Sequence, residues 1–91
     1  MRITKIKMTY GNYYSNNLLE IDELYISGCT NPGWFKKSLV HDYVKSHKGS
    51  IQVNIYPYPD IEPMVSIYGE KYVRSTPDST RKDNLLNLPR E

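Results

Sequence analysis

Phe35-Lys36-Lys37-Ser38-Leu39-Val40-His41-Asp42-Tyr43-Val44 is the clearest helical segment of the chain, and the elements around it are placed by it. Phe35, Leu39, Val40, Tyr43 and Val44 recur at three-to-four spacing, which puts them on one apolar stripe of an α-helix. Gly49 stops the helix, and His47 and Lys48 just before it suit the negative end of the helix dipole. The start is open. Asn31 with Pro32 can serve as cap and first turn, or the helix begins nearer Lys36 with Gly33 and Trp34 still extended. Gly33 would weaken a first turn, which favours the later start.

On either side of this helix the apolar period is two. Arg2 to Tyr10 alternates, with Thr4, Ile6, Met8 and Tyr10 on one face and Lys5, Lys7 and Thr9 on the other, the pattern of a half-buried strand. Gly11 to Asn17 is a polar loop. Leu18 to Ser27 holds two alternating halves, Leu19-x-Ile21 and Leu24-x-Ile26, that are out of phase; a bulge near Asp22 or Glu23, or a late strand start, reconciles them. Past the helix, Ile51, Val53 and Ile55 alternate with Gln52 and Asn54 in a strand over 50–56. Pro57 and Pro59 then force the chain out of the sheet, because proline donates nothing to a ladder. Met64 to Tyr68 and Lys71 to Ser75 read as a hairpin about a two-residue Gly69-Glu70 turn.

The order strand, strand, helix, strand, strand, strand predicts an α+β fold. It is a small, mostly antiparallel sheet of four to five strands with one amphipathic helix on one face. The helix stripe should pack on Ile6, Met8, Ile51, Val53 and Ile55. Residues 1–91 read as one domain, with the tail 76–91 closing on the body as a clasp. Three leucines, Leu85, Leu86 and Leu88, lie where small domains commonly fray, and a tail that apolar should be tied down rather than left in water.

With 91 residues there is room for one modest core and no deep catalytic cleft. Hydrophobic residues at 38% and charged ones at 24% describe a globular chain. A formal charge of +2 argues no polyanion partner by itself. Cys29 is alone, so no disulfide framework or cysteine metal site is expected, and a reducing, cytoplasmic setting is the default. No apolar run is long enough to span a bilayer, so no membrane role is expected. Alanine is absent while tyrosine occurs 9 times. With abundant Asn, Ile and Lys, this composition suits an AT-rich coding sequence such as that of a low-GC bacterium or its phage. Tyrosine is both a good strand former and, with an apolar face and a polar tip, a good contact residue.

The last third carries a further pattern. Gly69, Tyr72, Arg74, Ser75, Asp78, Asn84, Leu85, Leu88 and Pro89 match a run close to Gly-x-x-Tyr-Leu-[Arg/Lys]-[Ser/Thr]-x-x-Asp-Gly followed by [Asp/Asn]-Asn-Leu-x-x-Leu-Pro, with Val73 for the usual leucine and Ser79 for the usual glycine. In these residues, and in Leu24 to Gly28, the chain resembles a family of small, mostly bacterial proteins known as domain of unknown function 3892. The resemblance implies a fold and a structural signature, Arg74, Asp78, Asn84, Leu85 and Leu88, and no activity. Arg74 can recognise a phosphate or carboxylate, or it can pair with Asp78 or Asp83 and pin the tail. The second reading is favoured, since turn-forming residues and buried leucines follow it.

Enzyme signatures are absent: there is no Gly-rich phosphate loop, His-Glu-x-x-His or paired-cysteine motif. His41 and His47 point to different sides of the helix, and Asp60 with Glu62 do not complete a cation shell. No metal or cofactor is expected. Lys37, His41, Lys45 and Lys48 fall on one helix stripe that can meet phosphates or simply face water. The sequence therefore points to a non-catalytic module that binds another protein, of the kind a phage or mobile element uses to inhibit a host or defence protein. Contact is expected through Tyr56 and Tyr58 in the proline loop, with Lys37, His41 and Lys45 at the rim. The alternative is a small nucleic-acid-binding domain using the Lys/His helix face, against which the near-neutral charge stands.

Overall fold

The computed structural model describes residues 1–76 and 82–91. Strand β1 (Arg2–Met8) pairs antiparallel with β2 (Ile21–Ser27), and each strand carries one extra residue. Ile3 faces Ile26 while Lys5 faces Tyr25, which leaves Thr4 unmatched; Lys7 faces Glu23 while Met8 faces Ile21, which leaves Asp22 unmatched. A bulge shifts the in–out alternation by one position. Ile3, Ile6 and Met8 therefore point inward from β1, and Ile21, Leu24 and Ile26 from β2, and all six are buried. This corrects the inner face expected for the first strand. Thr4 is the bulged residue, and Tyr10, beyond the strand end, is fully exposed. In the second strand the bulge at Asp22 and the late start both occur, with Leu18–Glu20 forming a 3₁₀ turn capped by the Asn17 side chain.

An additional strand, β3 (Gly33–Lys36), follows β2 and pairs with it, Leu24 against Phe35 and Tyr25 against Trp34. The helix α1 (Lys37–Ser46) starts only after it, so Phe35 belongs to a strand and not to the helix stripe. Beyond Gly49, at φ +80°, the short β4 (Gln52–Val53) lies parallel to β1. It is cut well short of the expected 50–56. The Val53 amide donates to Pro59 O and the Asn54 amide to Ile3 O, and the chain turns away at Pro57 and Pro59. The four strands run in the order β3-β2-β1-β4.

The last two strands, β5 (Ile61–Val65) and β6 (Lys71–Ser75), form a separate two-stranded sheet. Their connection spans residues 66–70 rather than two residues. Ser66 Oγ accepts from the amides of Tyr68 and Glu70, and Gly69 adopts φ +83°. Among the described residues the fold is α+β, with one α-helix, a mixed four-stranded sheet and an antiparallel hairpin. The expected single sheet is split because the Pro57–Pro59 segment carries the chain off β4 before β5 begins.

Helix α1 packs on the hairpin along one flank and on β2 and β3 beneath. Its buried residues are Val40, His41 and Val44, whereas Leu39 is 59% exposed and Tyr43 40% exposed. The expected stripe is thus rotated toward the hairpin, and Leu39 and Tyr43 do not belong to the core. A histidine can replace a leucine inside because its ring has a partner: His41 Nδ1–H donates to Tyr72 O at 3.0 Å.

The tail closes the core. Asp83 accepts from the amides of Ser75 and Leu85, opening a 3₁₀ turn over Asn84–Asn87 that buries Leu85, Leu86 and, just past it, Leu88. The Ile6 amide then donates to Pro89 O at 2.9 Å, and the Glu91 amide to Ile6 O at 3.0 Å. Residues 89–91 thereby continue the sheet edge beside β1. The Arg90 guanidinium donates to the carbonyls of Tyr13, Ser15 and Leu86, fastening the tail to the loop before β2.

Candidate binding surfaces

Because Ile3, Ile6 and Met8 point inward, Arg2, Lys5 and Lys7 line the outer face of the four-stranded sheet. The register sets aromatic rings beside them: Tyr25 is opposite Lys5, and Trp34 is opposite Tyr25 on β3. The Tyr25 and Trp34 rings meet edge to face at 5.4 Å between centroids. Lys5 Nζ sits 4.5 Å from the Tyr25 centroid and Lys7 Nζ 4.7 Å from that of Trp34. At the other edge the Arg2 guanidinium lies 3.8 Å over the Tyr58 ring while donating to Asn54 Oδ1. Each cation is attracted to the negative face of its ring, so both partners are ordered by the contact.

The charges on this face are nearly balanced. Lys5 pairs with Glu91 at 3.2 Å, Lys7 with Glu23 at 3.8 Å and Lys36 with Asp22 at 3.2 Å, which leaves Arg2 as the cation held by an aromatic ring and an amide. All these lysines keep a third or more of their side chains in solvent. The face is therefore wet, aromatic and close to neutral.

The residues expected to bind fall in three places. Tyr56 and Tyr58 do meet, edge to face at 6.0 Å, and border this outer face through Arg2; Tyr56 is 82% exposed. Lys37 and His41 are elsewhere, on the seam between helix and hairpin. Lys37 Nζ donates to Leu19 O and pairs with Glu70, and His41 is buried against Tyr72. The exposed Lys/His stripe is thus broken at its centre, since the helix turns that side toward β6. Lys45 stays exposed and, with Lys48 and Arg74, lines an open cleft of about 350 Å³ that Asp60 and Glu62 also border.

Of the signature residues, Arg74 pairs with Glu62 at 2.6 Å, the residue directly opposite it in the hairpin, rather than with Asp83. Asp83 instead spends its carboxylate on the Ser75 and Leu85 amides. Asn84, Leu85 and Leu88 are buried, and Asp78 lies outside the described residues. Across the same seam, Lys71 donates to Asp42 at 2.8 Å, and this hydrogen bond holds the Asp42 carboxyl below the usual aspartate range. Among the described residues, no group of three or more His, Cys, Asp or Glu side chains is placed to hold a metal ion.

Sequence reasoning missed Arg2, Lys5, Lys7, Tyr25 and Trp34 as a set. The polar side of the first strand was visible, but its alignment with the rings depends on the two bulges and on β3. The family resemblance extends along nearly the whole chain: the model of the family described as "Protein of unknown function (DUF3892)" matches residues 2–89. The chain belongs to that family. No curated protein and no solved structure matches it. Of the DUF3892 pattern residues just described, Arg74 lies in the hairpin and Asn84, Leu85 and Leu88 in the tail, away from the outer face.

Proposed function

We infer that this DUF3892 protein is a non-catalytic protein-binding module whose working surface is the outer face of the four-stranded sheet. The observation that carries the reading is the set Trp34, Tyr25, Tyr58 and Arg2 on one face, ordered by cation–ring contacts. Trp, Tyr and Arg are the residue types on which interface energy concentrates. Side chains already held in place lose little freedom on binding, which favours affinity. The near balance of charge on the face argues against a polyanion, whose binding rests on net positive charge. An alanine-free composition rich in Asn, Ile, Lys and Tyr suits an AT-rich coding sequence, and so a phage or mobile-element protein that inhibits a host or defence enzyme.

The test is capture from lysate on immobilised protein, with and without nuclease, followed by mass spectrometry. The expected result is a protein partner that survives nuclease and is recovered at least ~10-fold less by Trp34→Ala or by Arg2→Glu/Tyr58→Ser. Recovery that vanishes with nuclease, or that is indifferent to these substitutions, refutes the reading. Titration of labelled single-stranded DNA and RNA at ~50 and ~200 mM salt gives the complementary result. Submicromolar, salt-steep binding would favour base stacking on Trp34 and Tyr25 instead.

A further inference from the structure

Lys5, Lys7, Lys36, Lys37 and Lys71 each sit in an ion pair, and Arg90 divides its guanidinium among backbone carbonyls. Among the described residues, Lys45 and Lys48 sit in no ion pair, and both line the cleft of about 350 Å³ where the C-terminal end of α1 meets the hairpin. Arg74 enters the same cleft from β6. Its Nε donates to Glu62 Oε1 at 2.6 Å, while neither of its Nη groups donates to a described residue. A guanidinium carries five N–H donors, so four remain for a ligand, and the bond to Glu62 already orients their plane. Unpaired cations from two different elements therefore converge on one cleft.

We propose that this cleft binds a small phosphomonoester, its phosphate held by Lys45, Lys48 and the Nη groups of Arg74. A carboxylate has two oxygens and is filled by the guanidinium fork alone. A phosphate dianion has three terminal oxygens, enough for the fork and for both ammonium groups. The helix dipole accounts for lysines at this end of α1, but not for Arg74, which comes from the hairpin. Two carboxylates set the limit of the site. Glu62 is paired with Arg74, and Asp60 accepts from the Gln52 amide at 2.8 Å, so three cations face two acids. The surplus suits one anionic group, whereas a polynucleotide would set its further phosphates against Asp60 and Glu62. Gly49 and Thr76 complete the polar lining, and the half-buried Pro63 and Met64 give the organic group of the ester an apolar surface.

NMR titration of the full chain with inorganic phosphate and with phenyl phosphate, at a constant ionic strength of ~150 mM set with sodium chloride, reads the binding directly. Saturable shifts are expected at the Lys45, Lys48 and Gly49 amides and at Arg74 Nε, with a Kd for inorganic phosphate on the order of 1–10 mM. Phenyl phosphate should bind at least ~3-fold tighter, because its ring covers Pro63 and Met64. Lys45→Ala/Lys48→Ala should weaken both ligands at least ~10-fold, and Arg74→Lys, which keeps the charge and loses the fork, at least ~5-fold. Should Arg74→Lys disturb the hairpin, the two exposed lysines still decide the matter. Shifts that do not saturate overturn the proposal, as does affinity unchanged in the double lysine variant or phenyl phosphate binding no tighter than inorganic phosphate. A single-stranded DNA oligonucleotide that saturates the same signals at micromolar concentration would assign the cleft to a polyanion instead. Trp34→Ala should bind phosphate as the parent does, so this result and capture by the outer face stand or fall separately.

Discussion

Leu85 tests whether the tail is part of the core, and Leu39 is the built-in control. Leu85 is 0% exposed, in one cluster with Ile3, Ile6, Leu24 and Val44, although it lies six residues from the end of the chain. Truncating such a leucine to alanine removes its transfer energy and leaves a cavity, which together cost about 3–5 kcal/mol. A chain of this size holds roughly 5–14 kcal/mol in all, so the loss is a large share. At about 4–8 °C per kcal/mol, the melting temperature should fall by at least ~12 °C. Leu39→Ala removes the same atoms from a side chain that is 59% exposed, and should change stability by less than ~0.5 kcal/mol. Thermal and urea unfolding followed by circular dichroism compares the two. The reasoning fails if Leu85→Ala melts within ~3 °C of the parent, or if Leu39→Ala is the more damaging of the pair.

Three further outcomes follow from the contacts. Arg90→Ala should lose about 1–2 kcal/mol by freeing the carbonyls of Tyr13, Ser15 and Leu86, and Arg90→Lys should not rescue it, because an ammonium cannot reproduce the guanidinium fork; urea unfolding checks both. His41→Ala should cost about 2–3 kcal/mol by opening a void and removing the ring's hydrogen bond to Tyr72 O, with partial recovery in His41→Asn, which keeps a donor; unchanged stability in the alanine variant would show that the seam is not sealed. The Asp42 carboxyl, lowered by the hydrogen bond from Lys71, should titrate below the ordinary aspartate range by NMR and return to it in Lys71→Met. Its contribution is present above the unfolded aspartate pKa and is lost as pH falls through the depressed folded value. The shallow acid limb of the stability profile should therefore flatten in Asp42→Asn.

What the sequence made legible was local and periodic. The helix, its late start and the phase break at Asp22 each depend on neighbours within a few residues, and periodicity reports such neighbours well. The tail leucines were equally readable, since three apolar side chains so close to a terminus have few places to go but the core. The errors share one cause, which is that a face is chosen by a partner far along the chain. A single bulge at Thr4 turned Ile3 inward, and nothing in residues 2–10 marks it, because the bulge is set by pairing with β2. Five candidates for the helix stripe spanned more arc than one contact can cover. The hairpin, thirty residues downstream, decided that His41 would enter and Leu39 and Tyr43 would not. The candidate surfaces inherit this logic. Lys37 and His41 looked exposed only while β6 was unplaced, and Trp34, read as extended ahead of the helix, had no face to belong to while β3 was unpaired. Leu39 and Tyr43, apolar by pattern, are bare in the fold because the hairpin took the neighbouring flank of the helix and turned Val40, His41 and Val44 inward instead.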